Sequence, residues 1–277
     1  MTVPPLVQTL PYVAWILLAT LTFGGFAFVV VTRQLSDVTP GYVRFVAVMS
    51  AVLAILTLLT TGGLTASDAL AIRPGTSDDA SLISLVLVVF VVMSIAYLLA
   101  ANNKRAAGVI GAIGIVTSLV VLARAAFAWA PTTADAVPLL VQLAVLSLAT
   151  GGSLAAIVLG HWYLVTPKIS EGPLILQCRL LLGTLVVQAL LFVVWTTLGG
   201  GPGQTAFSAF TTGPVLLVAL RLLVTIAFPI VLVWMAWRTA TTRSMESATG
   251  LLYINFAAVL AGTIGAAALY TANGILV

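Results

Sequence analysis

Eight stretches of this sequence run for twenty residues or more with at most one basic side chain and no acidic one in each. They cover roughly 11–32, 42–61, 82–101, 106–129, 137–165, 174–198, 214–237 and 247–272. A hydrocarbon layer about 30 Å thick is crossed by about 20 residues of α-helix. Inside such a layer only helices and closed barrels pair every backbone N–H and C=O. Barrel strands alternate apolar and polar side chains over about 10 residues, and these runs are too long and continuous for that. The expected fold is an all-α integral membrane protein with eight transmembrane helices. Of the 277 residues, 61% are hydrophobic and only 6% charged, with a mean hydropathy of +1.21. Soluble domains carry about 25% charged residues, so this chain cannot cover a water-facing surface.

Helix boundaries have their own chemistry. Pro11 is expected to open the first span, Pro138 (after Asp135) the fifth, and Pro214 (after Gly213) the seventh. Proline at a first turn loses no hydrogen bond, because that N–H has no intrahelical partner. Gly62 and Gly63 follow the second span, and the run from Gly199 to Gly203 follows the sixth. No basic residue precedes the first span, and its apolar stretch is too long for a secretory signal core, so it is expected to persist as a helix.

Charge sets the orientation. The connections after spans one, three, five and seven, with their flanks, hold Arg33, Arg44, Lys104, Arg105, Lys168, Arg179, Arg238 and Arg243. The opposite side has Arg73 with Asp68, Asp78, Asp79 and Asp135. Cytoplasmic loops carry the Lys/Arg excess, so both ends of the chain are expected on the outer side of a bacterial-type cytoplasmic membrane. The net charge of +4 is then a topology signal, and no nucleic-acid partner is expected. Tyr12, Trp15, Trp129, Trp195 and Tyr270 fall near the outer level, and Tyr42, Tyr97, Trp162, Tyr163, Trp234 and Trp237 near the inner one, as in interfacial aromatic belts.

Four spans out and back would give the two halves one orientation, which suits a parallel repeat. Val31-Thr32-Arg33-Gln34-Leu35-Ser36-Asp37 and Val165-Thr166-Pro167-Lys168-Ile169-Ser170-Glu171 lie half a chain apart. Each leads to a proline and then an arginine, Pro40 and Arg44 in one case, Pro173 and Arg179 in the other. Spans four and eight also end alike, Leu122-Ala123-Arg124-Ala125-Ala126-Phe127 against Ile264-Gly265-Ala266-Ala267-Ala268-Leu269. The expectation is two tandem parallel four-helix bundles, 1–135 and 136–277.

Polar groups inside hydrocarbon need a reason, since each costs a few kcal/mol. Arg124 near the end of span four and Arg221 in span seven either snorkel to the aqueous level or share an outward-facing cavity with an anionic or carbonyl-rich ligand. Pro229 cannot donate and frees the carbonyl of Thr225, which lies with Arg221 on one helix face, so a kink and a polar notch are expected there. Gln188 and Thr184 on span six, and Gln142, Ser147, Thr150 and Ser153 on span five, are candidates for interhelical hydrogen bonds. Gly151-Gly152 and the Gly108, Gly111, Gly114 series allow close helix approach. His161, in Gly160-His161-Trp162-Tyr163, is either an interfacial histidine or a quinone partner or haem ligand within reach of Tyr163, Lys168 and Glu171.

The inventory also excludes chemistry. One histidine cannot make a bis-histidine haem, and the single Cys178 cannot make a disulfide or a multi-cysteine metal site. Without a lysine inside any span there is no ordinary retinal Schiff base, and without a deep carboxylate no autonomous proton pump. Phosphate-loop, HExxH, GxSxG and aspartate-rich metal motifs are missing, which argues against a stand-alone enzyme.

Eight spans with Gly24-Gly25 in the first, and a final Leu260-Ala261-Gly262-Thr263-Ile264-Gly265-Ala266 followed by Leu269-Tyr270, resemble the eight-span anchor subunits of the dimethyl sulfoxide reductase type. These belong to the broader polysulfide reductase (NrfD-like) family, whose members often end in a similar Leu-Ala-Gly stretch with an aromatic pair. Where that family tends to carry acidic and arginine residues in the last span, this sequence has Thr263 and Ala266. The resemblance implies a membrane anchor that binds quinone or quinol and passes electrons to or from a peripheral redox subunit. A quinone head needs two hydrogen-bonding ends and an apolar slot. The candidate groups are Arg124, Arg221 and Tyr270 outside, or His161, Tyr163 and Arg179 inside. Haem at His161 would take its other axial partner from a methionine or another chain, or have none. Two other readings stay open: a non-catalytic structural subunit holding lipids or carotenoids, and a small-solute transporter. The orientation has a direct check: a phosphatase that folds only outside the cytoplasm is expected to be active fused after Gly203 and inactive fused after Arg243.

Overall fold

The computed structural model describes residues 6–64, 70–73, 75–166, 169–211 and 213–277. Asp68, Pro167 and Lys168, used above for topology and repeat, lie outside those residues. Among the described residues all regular structure is helical. The long helices are α1 (Leu6–Leu35), α2 (Pro40–Thr61), α3 (Ser77–Leu99), α4 (Lys104–Trp129), α5 (Thr133–Val165), α6 (Gly172–Leu198), α7 (Val215–Thr241) and α8 (Met245–Asn273). All eight are long and apolar enough to cross a membrane, so this is a multi-pass integral membrane protein.

The helix starts are chemically specified. Thr76 and Asp79 form a reciprocal capping box on α3, and the Asn103 side chain accepts the Ala106 N–H at 3.0 Å on α4. Pro40 and Pro173 occupy the first turns of α2 and α6. Pro11 and Pro138 do not open their helices: α1 begins at Leu6 and α5 at Thr133, leaving both prolines inside. On α5 the cap is Thr132, whose Oγ1 accepts the Asp135 N–H at 3.3 Å, so the helix is set one turn before the proline arrives. Each proline then removes one hydrogen bond close to a helix end.

Helices α1 and α5 form the centre. About 72% of the apolar stretch of each is buried, against 28–39% for the other six. They cross backbone on backbone: a Cβ on Gly151 would lie 2.6 Å from the Gly24 Cα, and one on Gly24 would overlap the Ser147 carbonyl. Gly152 takes the Phe28 ring, which would stand 2.5 Å from an added Cβ. On the α4 face, Gly108, Gly111 and Gly114 receive Gln34, Val30 and Phe26, side chains one turn apart on α1. Around this centre α1 touches α2, α4, α5 and α8, while α5 touches α1, α4, α6 and α8.

Many of the aromatic residues expected at the two membrane levels are buried between helices. Trp15 and Tyr12 stand edge-on to Trp129 with ring centroids 4.9 and 5.4 Å apart. Tyr42 and Tyr97 are fully buried, whereas Trp234 faces outward. Most of these rings therefore fill the helix core near its ends, because ring-on-ring packing in the gaps between helices holds them there.

A methyl at the central crossing is expected to be expensive. Gly24→Ala should destabilise by about 1–3 kcal/mol or more, visible as a lower melting temperature in detergent. Gly183→Ala, where an added Cβ meets nothing within 4 Å, should leave it unchanged or raised. Equal behaviour of the two variants would contradict the close crossing.

Candidate functional site

The site is built from a break in α7. Pro229 supplies no N–H to the carbonyl of Thr225. The helix loosens there into a π turn, Leu223–Ala227, with the Phe228 N–H reaching the Leu223 carbonyl. One turn earlier stands Arg221, only 3% exposed. Its Nη1 donates to Thr225 Oγ1 at 2.9 Å and to the freed Thr225 carbonyl at 3.5 Å. With its amide oxygen toward the guanidinium, Gln188 of α6 accepts from Nη1 at 3.3 Å and also from Nη2. A Cβ on Gly262 of α8 would come within 2.7 Å of Nη1, so glycine leaves the guanidinium its room.

The fourth acceptor comes from the segment after α8. Gly274, at φ 69°, turns the chain back, and Ile275, Leu276 and Val277 bury themselves between helices. The Val277 backbone oxygen accepts from Arg221 Nε at 3.4 Å and from Gln142 Nε2 at 2.8 Å. The Trp195 indole donates in turn to Gln142 Oε1 at 3.1 Å, fixing which way that amide points. Tyr270 lines a void of about 10 Å³ with Gln142, Leu276 and Val277. Its hydroxyl is buried and has no hydrogen-bond partner among the described residues.

Arg221 thus carries a buried guanidinium whose acceptors are Thr225, Gln188 and the Val277 oxygen. Among the described residues no Asp or Glu side chain lies within ion-pair distance of it. Instead of snorkelling, the side chain turns into the protein. A guanidinium held at this depth can hold an anion or polarise a carbonyl oxygen.

The sequence candidates separate into groups. Arg221 and Tyr270 meet around Val277. Arg124 does not join them: it pairs with Asp79 of α3 at 3.2 Å at a half-exposed position. On the opposite side the expected trio is not assembled. The Tyr163 hydroxyl donates to the Ser170 carbonyl at 2.5 Å, and its ring lines a cavity of about 400 Å³ with Ile169, Arg243 and Glu246. His161 is exposed and, among the described residues, hydrogen-bonds to neither Tyr163 nor Glu171, since residues two apart on a helix point to different faces. Arg179 stacks over the Trp237 ring at 5.0 Å. Arg243 instead pairs with Glu171 at 3.3 Å.

Two buried amides were missed. Gln177 donates to Tyr42 Oη at 2.8 Å and Thr32 Oγ1 at 3.0 Å, and Asn255 donates to Ser153 Oγ at 2.9 Å. Each is a lone amide in an apolar run, the same signal that marked Gln142 and Gln188. The role of Val277 had no such signal. No protein-family model and no curated protein matches this chain.

Proposed function

We propose that this chain is the membrane anchor subunit of a multi-subunit respiratory redox complex, binding quinone or quinol and passing electrons to or from a peripheral partner. It lies in a bacterial-type cytoplasmic membrane with both ends outward, on the Lys/Arg bias of its connections. The helix neighbours support two tandem four-helix bundles, 1–135 and 136–277, joined along α1 and α5. The observation that carries the ligand assignment is Arg221, a buried guanidinium that pairs with no Asp or Glu side chain among the described residues, beside the Tyr270 hydroxyl, which has no hydrogen-bond partner among them.

These groups fit a quinone head. Arg221 would donate to one ring oxygen and Tyr270 to the other, while the surrounding leucines and alanines keep water out. A fixed guanidinium in a dry site favours negative charge on the oxygen it faces, and needs no reorganisation to do so. A bound quinone supplies two-electron, two-proton carrier chemistry, and the peripheral partner supplies the metal centres. A second reading, a small-solute transporter, draws on the broken α7 beside Arg221, because interrupted helices line transport sites in many carriers.

Two measurements on one preparation test the proposal. Mild-detergent affinity purification should bring down iron–sulfur, molybdenum or haem subunits. Tryptophan fluorescence of the purified chain should quench saturably with a short-chain quinone. Arg221→Met should lower the melting temperature, since the buried acceptors on Thr225, Gln188 and Val277 lose a donor at a cost of about 1–3 kcal/mol, and bind the quinone about 10- to 100-fold more weakly, as for a lost charged hydrogen bond. A chain that comes down alone and shows no saturable quenching would contradict the proposal, and solute uptake into vesicles would then decide for transport.

A further inference from the structure

The end of the bundle that carries the Lys/Arg excess is not uniform. At the connections of α5 to α8 the cations are answered within the chain. Arg243 pairs with Glu171 at 3.3 Å, Arg179 stacks over Trp237 at 5.0 Å, and Glu246 stands in the first turn of α8. At the connections of α1 to α4 they are not. Arg33, Arg44, Lys104 and Arg105 gather there against one carboxylate, Asp37. The Asp37 side chain is 98% exposed and lies 3.8 Å from Lys104 Nζ, a surface pair that water and salt weaken.

Hydrogen bonds draw these cations to one corner. Arg33 Nη1 donates to the Val38 carbonyl at 3.2 Å and Nη2 to the Ala101 carbonyl at 3.3 Å, tying the α1–α2 connection to the α3–α4 connection. Gln34 Nε2 donates to the Lys104 carbonyl at 3.1 Å. Arg44 reaches across from α2 and donates Nη2 to Asn102 Oδ1 at 3.0 Å. Arg33 is engaged by carbonyls, whereas Arg44, Lys104 and Arg105 stay exposed. No ion pair reaches Arg44 or Arg105 among the described residues. The first turn of α4 has no acidic residue to offset Lys104 and Arg105, which stand at the positive end of that helix.

Directly beneath the corner the surface turns aliphatic. Phe45 follows Arg44 on α2, Leu99 ends α3, and both face outward. From Leu99 an exposed lane continues along α3 through Ile95, Val92, Val88 and Leu85, three and four residues apart on one helix face. From Leu85 to Leu99 the helix rises about 21 Å, more than half of a hydrocarbon layer about 30 Å thick. Cations for an acidic protein would face water alone. These stand at the head of a hydrocarbon-facing lane, so the molecule that matches both parts has a phosphate and an acyl chain.

We propose that Arg44, Asn102, Lys104 and Arg105 bind the phosphate of an anionic phospholipid whose acyl chain lies along α3. Asn102 Oδ1 is taken by Arg44, which leaves its Nδ2 to donate beside the three cations. The lipid then bridges α2, α3 and α4 where the chain supplies no counter-charge of its own. This site is separate from the Arg221 cluster and stands whether or not that cluster binds quinone.

Native mass spectrometry of the purified full chain tests it, with phosphatidylglycerol and phosphatidylcholine of the same acyl chains as probes. The intact chain is expected to bind phosphatidylglycerol about tenfold more tightly. Lys104→Gln with Arg105→Gln is expected to weaken that binding about 25-fold, roughly fivefold for each cation, and to leave phosphatidylcholine unaffected. Arg238→Gln with Arg243→Gln removes the same charge from the other half of the bundle and is expected to leave both lipids bound as before. All four positions are exposed, so both double variants should keep the melting temperature of the intact chain. Equal loss in the two double variants would overturn the site, because net charge alone would then attract the lipid. Equal affinity of the intact chain for the two lipids would also overturn it, and an oligoglutamate peptide bound in their place would assign the corner to an acidic protein.

Discussion

The contact of Gly24 with Gly151, where two helix backbones touch, governs the rest of this structure. In a bilayer, lipid tails are as apolar as leucine, so no hydrophobic force drives one helix onto another. Close packing and interhelical hydrogen bonds must do it. Without side chains at the crossing, α1 and α5 approach until the Gly25 and Ser147 backbones limit them. That approach presents one face of α5 to α8, where Thr150 meets Thr263 at 2.5 Å and Ser153 meets Asn255. It also lets Phe26 and Val30 of α1 sink against the glycines of α4.

The two sides of this centre have different chemistry. Toward α2–α4 the core is aromatic, with Phe23 and Phe26 edge-on to Phe90 at 5.0 and 5.1 Å and Trp15 against Trp129. Toward α6–α8 buried amides and hydroxyls recur at successive levels: Gln177, Asn255, Thr263, Gln188 and Gln142. Arg221 belongs to that polar side. The half-exposed pair of Arg124 and Asp79 is a near-surface ion pair, a class that contributes about 0–1 kcal/mol. Arg221 is in another regime: it is buried, and its desolvation is offset by hydrogen bonds to Thr225, Gln188 and the Val277 oxygen.

Much of the fold was legible in the sequence, and the reason is the solvent. Hydrocarbon demands about 20 apolar residues per crossing, which located all eight helices to within a few residues at most ends. Pro229 and Thr225 were legible because proline chemistry is local: the missing N–H acts four residues away on the same helix. Gly24-Gly25 and Gly151-Gly152 were visible as candidates, though only the structure pairs them with each other. Failures came where the partner sits on another helix. Pro138 is the exception, a local misreading: Thr132 and Asp135 carry the capping signal of α5 one turn upstream of it. The aromatic rings look alike in sequence whether they face headgroups or the core. His161, Tyr163 and Arg179 share a level in the bilayer, but helix rotation sends them to separate surroundings. Val277 carries no side-chain polarity at all, so its carbonyl could be placed only by the fold.

The most direct measurement is photolabelling of native membranes with an azido-quinone, followed by mass spectrometry of the modified peptides. The expected result is labelling confined to peptides containing Arg221–Phe228, Gln142 or Tyr270–Val277, competed by unlabelled quinone and lost in Arg221→Met. Competed labelling on the peptides of Tyr163 and Arg179, or no competed labelling anywhere on the chain, would contradict the assignment of the buried arginine as the quinone-binding group.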